Sequence, residues 1–451
     1  MSISDFTSLD QIHAARTIIL GGGVTGRSLA NYLLAHENSP ALFNDGDDLS
    51  LLEAPYDLAL VSPGWKRDHH AVQKLQSAGV PIMSELDLAW LIKITHFPDQ
   101  RWVAVTGTNG KTTTIQMVES ILTHSSLQGI ACGNVGKTVI EALTDGNSYD
   151  VLALELSSFQ IDWMRTPRFE ACAVLNIAED HIDWHGSFAE YANAKMKLLG
   201  QSQCAILNLS DPEVVLRASQ FNLRKVFFGL DTPGPSEIGL VEELFVDRAF
   251  VPSTESAESF AELHDLKPVV PHQALNAMAA AGVALSLGIS HDQVRAGLIA
   301  FAPDHHRMEE LAVKDGVKWI DDSKATNPHA AQASLLSHFD VIWIAGGLAK
   351  GATMDSLVER VSDRLKAVLL IGQDRELIAT ALDRHAPGIP YFRIDSPGTA
   401  EGLMDLVVQK AKALASAESV VLLAPACASM DQFTSYSHRG KAFAASVAKW
   451  A

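Results

Sequence analysis

Short runs of valine, isoleucine and leucine, each closed by glycine or a polar turn, alternate along the chain with stretches whose apolar residues fall three and four apart. The first pattern predicts buried strands and the second predicts helices. Their alternation predicts α/β domains built on parallel sheets. Three blocks stand out. The first opens with TIILGGGVTGRSLANYLL at 17–34, a strand passing through a glycine-rich turn into a helix, with further strands in ALFNDGDD and YDLALVSPG. Near LIKITHFPDQR, Pro98 and polar residues precede a new strand, so the first domain is expected to span 1–98. The second block, 99–302, runs from RWVAVT to GLIAFAPDH. The third, 303–451, contains VKWIDDS, FDVIWIAGG, KAVLLIG, PYFRID and SVVLLAPA, strand candidates separated by helical stretches. That order predicts another Rossmann-like unit. The longest apolar helix candidate, ALNAMAAAGVALSLGI, is rich in small residues and too short to span a bilayer, so it reads as a buried helix.

Length and composition fit this picture. A chain of 451 residues gives a prior of about three domains. The net charge of −18 argues against nucleic acid and membrane surfaces as partners, because both favour basic patches. It leaves anionic small molecules open, since their sites can be locally basic. Cys132, Cys172, Cys204 and Cys427 are scattered without a C-x-x-C pair, which suggests neither zinc nor a disulfide framework and fits a reducing cytoplasm. The N-terminus lacks a basic region followed by an apolar run, so no signal peptide is read.

The candidate chemistry starts at VAVTGTNGKTTT, residues 103–114. A common phosphate-binding loop has glycine five positions before its Gly-Lys pair; here that position is Val105 and the glycine comes later, at Gly107. The context still fits. A strand precedes the loop, and Ile115, Val118, Ile121 and Leu122 mark a helix after it. Amides at a helix N-terminus and the Lys111 ammonium suit a phosphate, and the Thr112 hydroxyl suits Mg²⁺. Downstream, DVLALELSSFQ places Glu155 at the carboxyl end of a strand, where a carboxylate can hold Mg²⁺. ACAVLNIAEDHIDWHG is another apolar strand followed by Asp180, His181, Asp183 and His185. The two histidines are four apart, the spacing of a helical zinc pair, but Trp184 and Gly186 weigh against a continuous helix; a Mg²⁺ or structural role is the alternative. In the first block, Gly21, Gly23 and Gly26 suit either a diphosphate or a tight turn without ligand. Lys195 taken alone reads as a solvated helix lysine, His306 as structural, and Cys427 as a small buried residue without an identifiable base.

Together GTNGKTTT, GNVGKT at 133–138, ELSSFQ, LNIAEDHIDWH, YANAK at 191–195 and DHHRME at 304–309 resemble the Mur ligase family over nearly the whole chain. DDSKATNPHAA at 321–331 and LAPACASMDQF at 423–433 resemble the member that adds D-glutamate to UDP-N-acetylmuramoyl-L-alanine. The resemblance implies three domains: Rossmann-like N- and C-terminal domains, binding the UDP-sugar and the amino acid, flank a central P-loop domain binding ATP. The third is expected to close over the site. It also implies an acyl-phosphate route using ATP and two Mg²⁺ ions, in a cytoplasmic enzyme expected to be monomeric, within peptidoglycan precursor synthesis.

Carried over by position, the resemblance makes Gly107, Thr108, Asn109, Gly110, Lys111, Thr112 and Thr113 the ATP loop. Lys111, His181 and Lys195 become catalytic residues, Lys195 as a carbamate. Thr112, Glu155, His181 and Lys195 become metal ligands. Asn276 and Asp322 are implied adenine and ribose contacts, and Arg307 a phosphate contact. Asn134, with Val24, Thr25, Asn44, Asp45 and Gly64, is implied for the UDP-sugar substrate, and Thr326, Lys350, Ser429 and Tyr436 for D-glutamate. HQALN departs from the family pattern at Gln273, where asparagine is usual. FNDG departs at the uridine side, and Tyr436 stands where an aromatic without a hydroxyl is also seen. A folate-polyglutamate ligase shares the style of the central domain, but DSKATN and the first block oppose it. A non-catalytic nucleotide switch would need no third domain.

Overall fold

The structure, a computed structural model, describes residues 6–451. Three sheets carry the chain. In the first, β1 (Thr17–Leu20), β2 (Ala41–Phe43), β3 (Leu58–Val61) and β4 (Ile82–Ser84) lie in the order β2-β1-β3-β4, all parallel. β1 and β3 are buried along their length, as expected of a sheet covered on both faces.

The second sheet holds β5 (Arg101–Thr106), β6 (Gly129–Gly133), β7 (Val151–Glu155), β8 (Phe169–Val174), β9 (Ser202–Asn208) and β10 (Arg224–Phe228). It continues with β11 (Glu237–Val241), β12 (Leu244–Asp247) and β13 (Glu258–Glu262), in the order β13-β12-β11-β10-β9-β8-β5-β7-β6. β5 to β11 pair in parallel, and β11, β12 and β13 form an antiparallel extension. The apolar segment of the sequence reading is the helix Pro271–Ser286, nearly all buried against this sheet. Among the described residues no helix is long and apolar enough to cross a membrane.

The third sheet holds β14 (Glu309–Lys314), β15 (Val317–Asp321), β16 (Val341–Gly346), β17 (Leu365–Ile371), β18 (Tyr391–Arg393) and β19 (Val420–Leu423), in the order β14-β15-β19-β16-β17-β18. Only β14 runs antiparallel. Contacts divide the chain into two compact units. One comprises residues up to 177, 181–269 and 273–301, and carries the first two sheets; the other comprises 178–180, 270–272 and 302–451, and carries the third.

Within the first unit the two sheets are pinned together by polar contacts. Glu85, buried at the start of the helix Glu85–His96, accepts hydrogen bonds from the Val139 and Ile140 amides at 2.9 and 3.3 Å. The Ser28 and Thr138 hydroxyls meet at 2.6 Å. Burial pushes the Glu85 carboxyl up to about 7.

Candidate active site

The phosphate loop follows β5 and enters the helix Lys111–Thr123. Gly110 sits at φ 83°, and a Cβ there would lie 2.5 Å from Oδ1 of Asn276, so only glycine fits. The same contact sets Asn276, from the buried face of Pro271–Ser286, directly against the loop. Thr113 is buried behind the loop, and Thr112 is half-buried on the first helical turn.

The loop is held by a residue that the sequence reading missed. Asn176, just beyond β8, accepts from the Thr108 amide through its carbonyl at 2.9 Å. Its side-chain oxygen accepts from the Asn109 amide at 2.8 Å, and its side-chain nitrogen donates to the Asn109 carbonyl at 3.1 Å. The parallel register places it there, because Thr106 pairs with Val174.

Two cations converge on this loop. Lys111 Nζ donates to the carbonyls of Gly107 and Thr108, each at 2.9 Å. Lys195 Nζ donates to the same Gly107 carbonyl at 2.8 Å. Lys195 is not a solvated helix lysine: it is 2% exposed and lies over the Tyr191 ring at 4.7 Å. The reason is position. On the helix Phe188–Met196, Tyr191 and Lys195 share one face, and the Tyr191 hydroxyl meets Thr108 Oγ1 at 2.9 Å. Both lysine side chains thus share one carbonyl acceptor in the loop.

Glu155, the last residue of β7, is 2% exposed. One carboxylate oxygen accepts from Asn134 Nδ2 at 2.8 Å, while Oε2 is buried without a hydrogen-bond partner. A buried carboxylate oxygen in that state favours a cation beside it, and the donor type is the hard oxygen that suits Mg²⁺. His181 has φ 52° and caps the short helix Ile182–His185. Its ring packs edge-on against Phe159 at 4.8 Å, in the helix that follows β7. His185 meets Ser158 Oγ at 2.9 Å, and burial pushes its imidazole down to about 4. The helical zinc pair does not form, because His181 lies outside the helix with left-handed backbone. Among the described residues, His306, Glu309 and Asp321 form the one group of three candidate ligand side chains within 4.8 Å of one another. There His306 Nδ1 meets Asp321 at 2.7 Å, which raises the imidazole pKa, and its amide donates to Glu309 at 2.8 Å. The cluster satisfies itself without an ion.

The residues expected at the UDP-sugar gather at the carboxyl end of the first sheet. Val24 and Thr25 begin the helix Val24–Ala35 after β1, Asn44 and Asp45 follow β2, and Gly64 follows β3. This is where the strand order reverses, the usual crevice of such a sheet. Asn44 accepts from the Gly22 amide at 2.8 Å, so its side chain shapes the turn.

In the other unit, three loops meet at the carboxyl ends of β15, β16 and β19. Leu348 and Ala428 exchange backbone hydrogen bonds at 2.8 and 2.9 Å, and the Ala426 amide donates to the Ala325 carbonyl at 3.0 Å. The backbones nearly touch: a Cβ on Gly347 would lie 2.1 Å from the Ala428 carbonyl oxygen, and one on Gly372 would lie 2.4 Å from Gly347 Cα. These contacts bring together the segments bearing Thr326, Lys350 (exposed, φ 50°), Ser429 (buried) and Tyr436, which opens the helix Tyr436–Trp450. Lys324 Nζ lies over the Tyr436 ring at 4.1 Å. Arg439, wholly buried, was also missed by the sequence reading. It donates to the Ser323 hydroxyl at 3.0 Å, the Ser323 carbonyl at 2.9 Å and the Cys427 carbonyl at 3.2 Å. Burial pushes the Cys427 thiol up to about 12, which suits a packing residue and not a nucleophile. Asp322 accepts from the Met308 amide at 3.3 Å and from the Ser334 hydroxyl; burial pushes its carboxyl up to about 6. Arg307 is half-buried in the same unit.

Residues 105–284 match the Mur ligase middle domain, and 306–427 match the Mur ligase glutamate ligase domain. The chain is 44% identical to the UDP-N-acetylmuramoylalanine–D-glutamate ligase of Streptomyces coelicolor, over 95% of this chain and 97% of the relative. It is 47% identical to the enzyme of that name from Streptomyces avermitilis, over 89% and 86%. A solved MurF ligase from Thermotoga maritima, in complex with ADP, has the same fold at 16% identity and a TM-score of 0.60, with 97% of each chain covered.

Proposed function

The chain belongs to the Mur ligase family, and from that premise we propose that it joins D-glutamate to UDP-N-acetylmuramoyl-L-alanine at the expense of ATP. A carboxylate oxygen of the alanyl group attacks the γ-phosphorus, the bond to ADP breaks, and an acyl phosphate forms. The amine of D-glutamate then attacks the acyl carbon, inorganic phosphate leaves and the nitrogen loses a proton. Both partners of the first step are anions, so the barrier lies in bringing them together in line. The observation that carries the reading is Lys111 held on the Gly107 and Thr108 carbonyls of a loop whose strand pairs, at Val105, with Glu155 and its partnerless buried oxygen. Lys111 is assigned to the γ-phosphate, where its positive charge offsets the charge that develops during transfer. Arg307 is assigned to the phosphates, Asn276 and Asp322 to the adenosine, and Thr326, Lys350, Ser429 and Tyr436 to D-glutamate.

Thr112, Glu155, His181 and Lys195 are assigned to two Mg²⁺ ions, which when bound supply charge neutralisation to the phosphate oxygens. The buried, partnerless Glu155 Oε2 supports that assignment. A lysine ammonium has only donors and would repel a cation; addition of CO₂ to the neutral amine gives an anion with two hard oxygens. We assign Lys195 that carbamate form, which also relieves the crowding of two cations at Gly107. The domains are proposed as 1–98, 99–302 and 303–451, and the protein as a cytoplasmic monomer.

The test is phosphate release from ATP and Mg²⁺ with the two substrates added separately and together. Release that requires both is expected. Rapid release from ATP alone, unaltered by either substrate, would overturn the ligase reading.

A further inference from the structure

The loop at 64–67 is tied on two sides. Trp163 Nε1 donates to the Trp65 carbonyl at 2.8 Å, and Arg67 pairs with Asp162 at 2.8 Å while its guanidinium lies 4.2 Å from the centre of the Trp163 ring. These contacts fix the loop to the helix Ser158–Trp163. On the other side the partners come from the segment that carries His181. Trp184 Nε1 donates to the Gly64 carbonyl at 3.0 Å, and Lys66 Nζ donates to the Asp183 carbonyl at 2.6 Å. The Trp184 ring lies 4.6 Å from Phe159, the residue on which His181 also packs. At the loop's near end, the Trp65 ring fills the space over the glycine turn: a Cβ on Gly21 would lie 2.6 Å from Trp65 Nε1.

A continuous path of packed rings and hydrogen bonds therefore runs from the glycine turn through Trp65 and Gly64 to Trp184 and the His181 segment. We propose that Trp184 is a positioning residue that couples occupancy of the sugar-nucleotide crevice to binding of the metal–nucleotide at the phosphate loop. The inference rests on the functional reading above, which assigns His181 to the metal ions, and on the expected place of Gly64 at the UDP-sugar. A ligand that settles the turn and the 64–67 loop also settles residues 181–185, because the Trp184 indole N–H and the Lys66 ammonium hold the two segments in one register. Linkage makes the effect reciprocal: each ligand tightens the other by the same factor.

Calorimetry tests this with UDP-N-acetylmuramoyl-L-alanine and the Mg²⁺ complex of β,γ-methylene-ATP. In the wild type, saturation with the sugar nucleotide is expected to tighten binding of the ATP analogue by about fivefold or more. Trp184→Phe keeps an aromatic ring facing Phe159 and loses the N–H donor together with the second ring of the indole. Its expected coupling ratio is about one, with each ligand alone bound within about twofold of wild type. Lys66→Met, which removes the second tie, is expected to lower the ratio as well. A merely structural role would shift single-ligand affinities or the melting temperature and leave the ratio intact. An unchanged ratio in both variants, or independent binding in the wild type, would overturn the inference. Failure of the wild type to bind either ligand would bring down the functional reading and this inference with it.

Discussion

Glu155 at the phosphate loop and Arg439 among the C-terminal loops are both charged, both buried and both beside the carboxyl end of a parallel sheet, yet their surroundings treat them oppositely. Glu155 keeps one carboxylate oxygen without any hydrogen-bond partner, while nearby two lysines crowd a single carbonyl. Arg439 donates to two carbonyls and a hydroxyl and is held by neutral oxygens. Burial without partners costs free energy, so it persists where something outside the chain completes the set. Burial with partners converts the same charge into scaffolding. The first region leaves a carboxylate oxygen open to a ligand, and the second holds its loops together from within.

The contrast breaks most visibly at the lysines. Lys111→Ala and Lys195→Ala are expected to lower kcat by roughly 10²–10³-fold or more, the first by removing the cation proposed for the γ-phosphate and the second by removing a proposed metal ligand. Short carboxylic acids in the buffer should partly restore Lys195→Ala by filling the place of the proposed carbamate's oxygens. Full activity of that variant without added acid would refute its role.

Asp322 tests the second region through pH. Burial raises its folded-state value to about 6 from an ordinary 3.8. A raised carboxyl contributes stability that is present below pH 3.8 and lost as pH rises through 6. The Asp322 carboxyl should therefore account for a loss of about 2–3 kcal/mol across that window, beside that of Glu85, and Asp322→Asn should make the curve of denaturation free energy against pH less steep there. An equal slope in both proteins would mean that the carboxyl is not held as described.

Arg439→Met should destabilise by about 1–3 kcal/mol, since the Ser323 and Cys427 carbonyls lose their donors. It should raise KM for glutamate more than KM for ATP. A matching rise for ATP would erase the distinction between scaffold and site. The smallest effect is expected at Cys427→Ala: stability lower by about 1 kcal/mol and kcat within about twofold, read by melting and by phosphate release. A dead but folded variant would make the thiol a participant after all.

The phosphate loop was legible in the sequence because its strand, turn and helix are contiguous, so local pattern carries the whole element. Glu155 was legible for the same reason, at the end of an apolar run. Lys195 was not legible from its residues alone. Its burial comes from helix Phe188–Met196 lying across a loop 88 residues earlier at Gly107, and only the family motif pointed to it. The i, i+4 pair of Tyr191 and Lys195 in YANAK was the available hint that both face one way. Asn176 and Arg439 escaped because their partners are set by strand register and by loops distant in sequence, which periodicity does not encode. The antiparallel extension β11 to β13 escaped through its short strands and irregular spacing.

The touching backbones at Gly347 and Gly372 have a consequence for heredity. Each is a position where even one added methyl group would collide with main chain, and main chain has no rotamer through which to yield. Neither codon therefore has a neighbour that leaves these loops where they are. Any side chain added at these two sites would have to displace backbone. A compound that leaned on this backbone would press on a surface the gene cannot readily reshape.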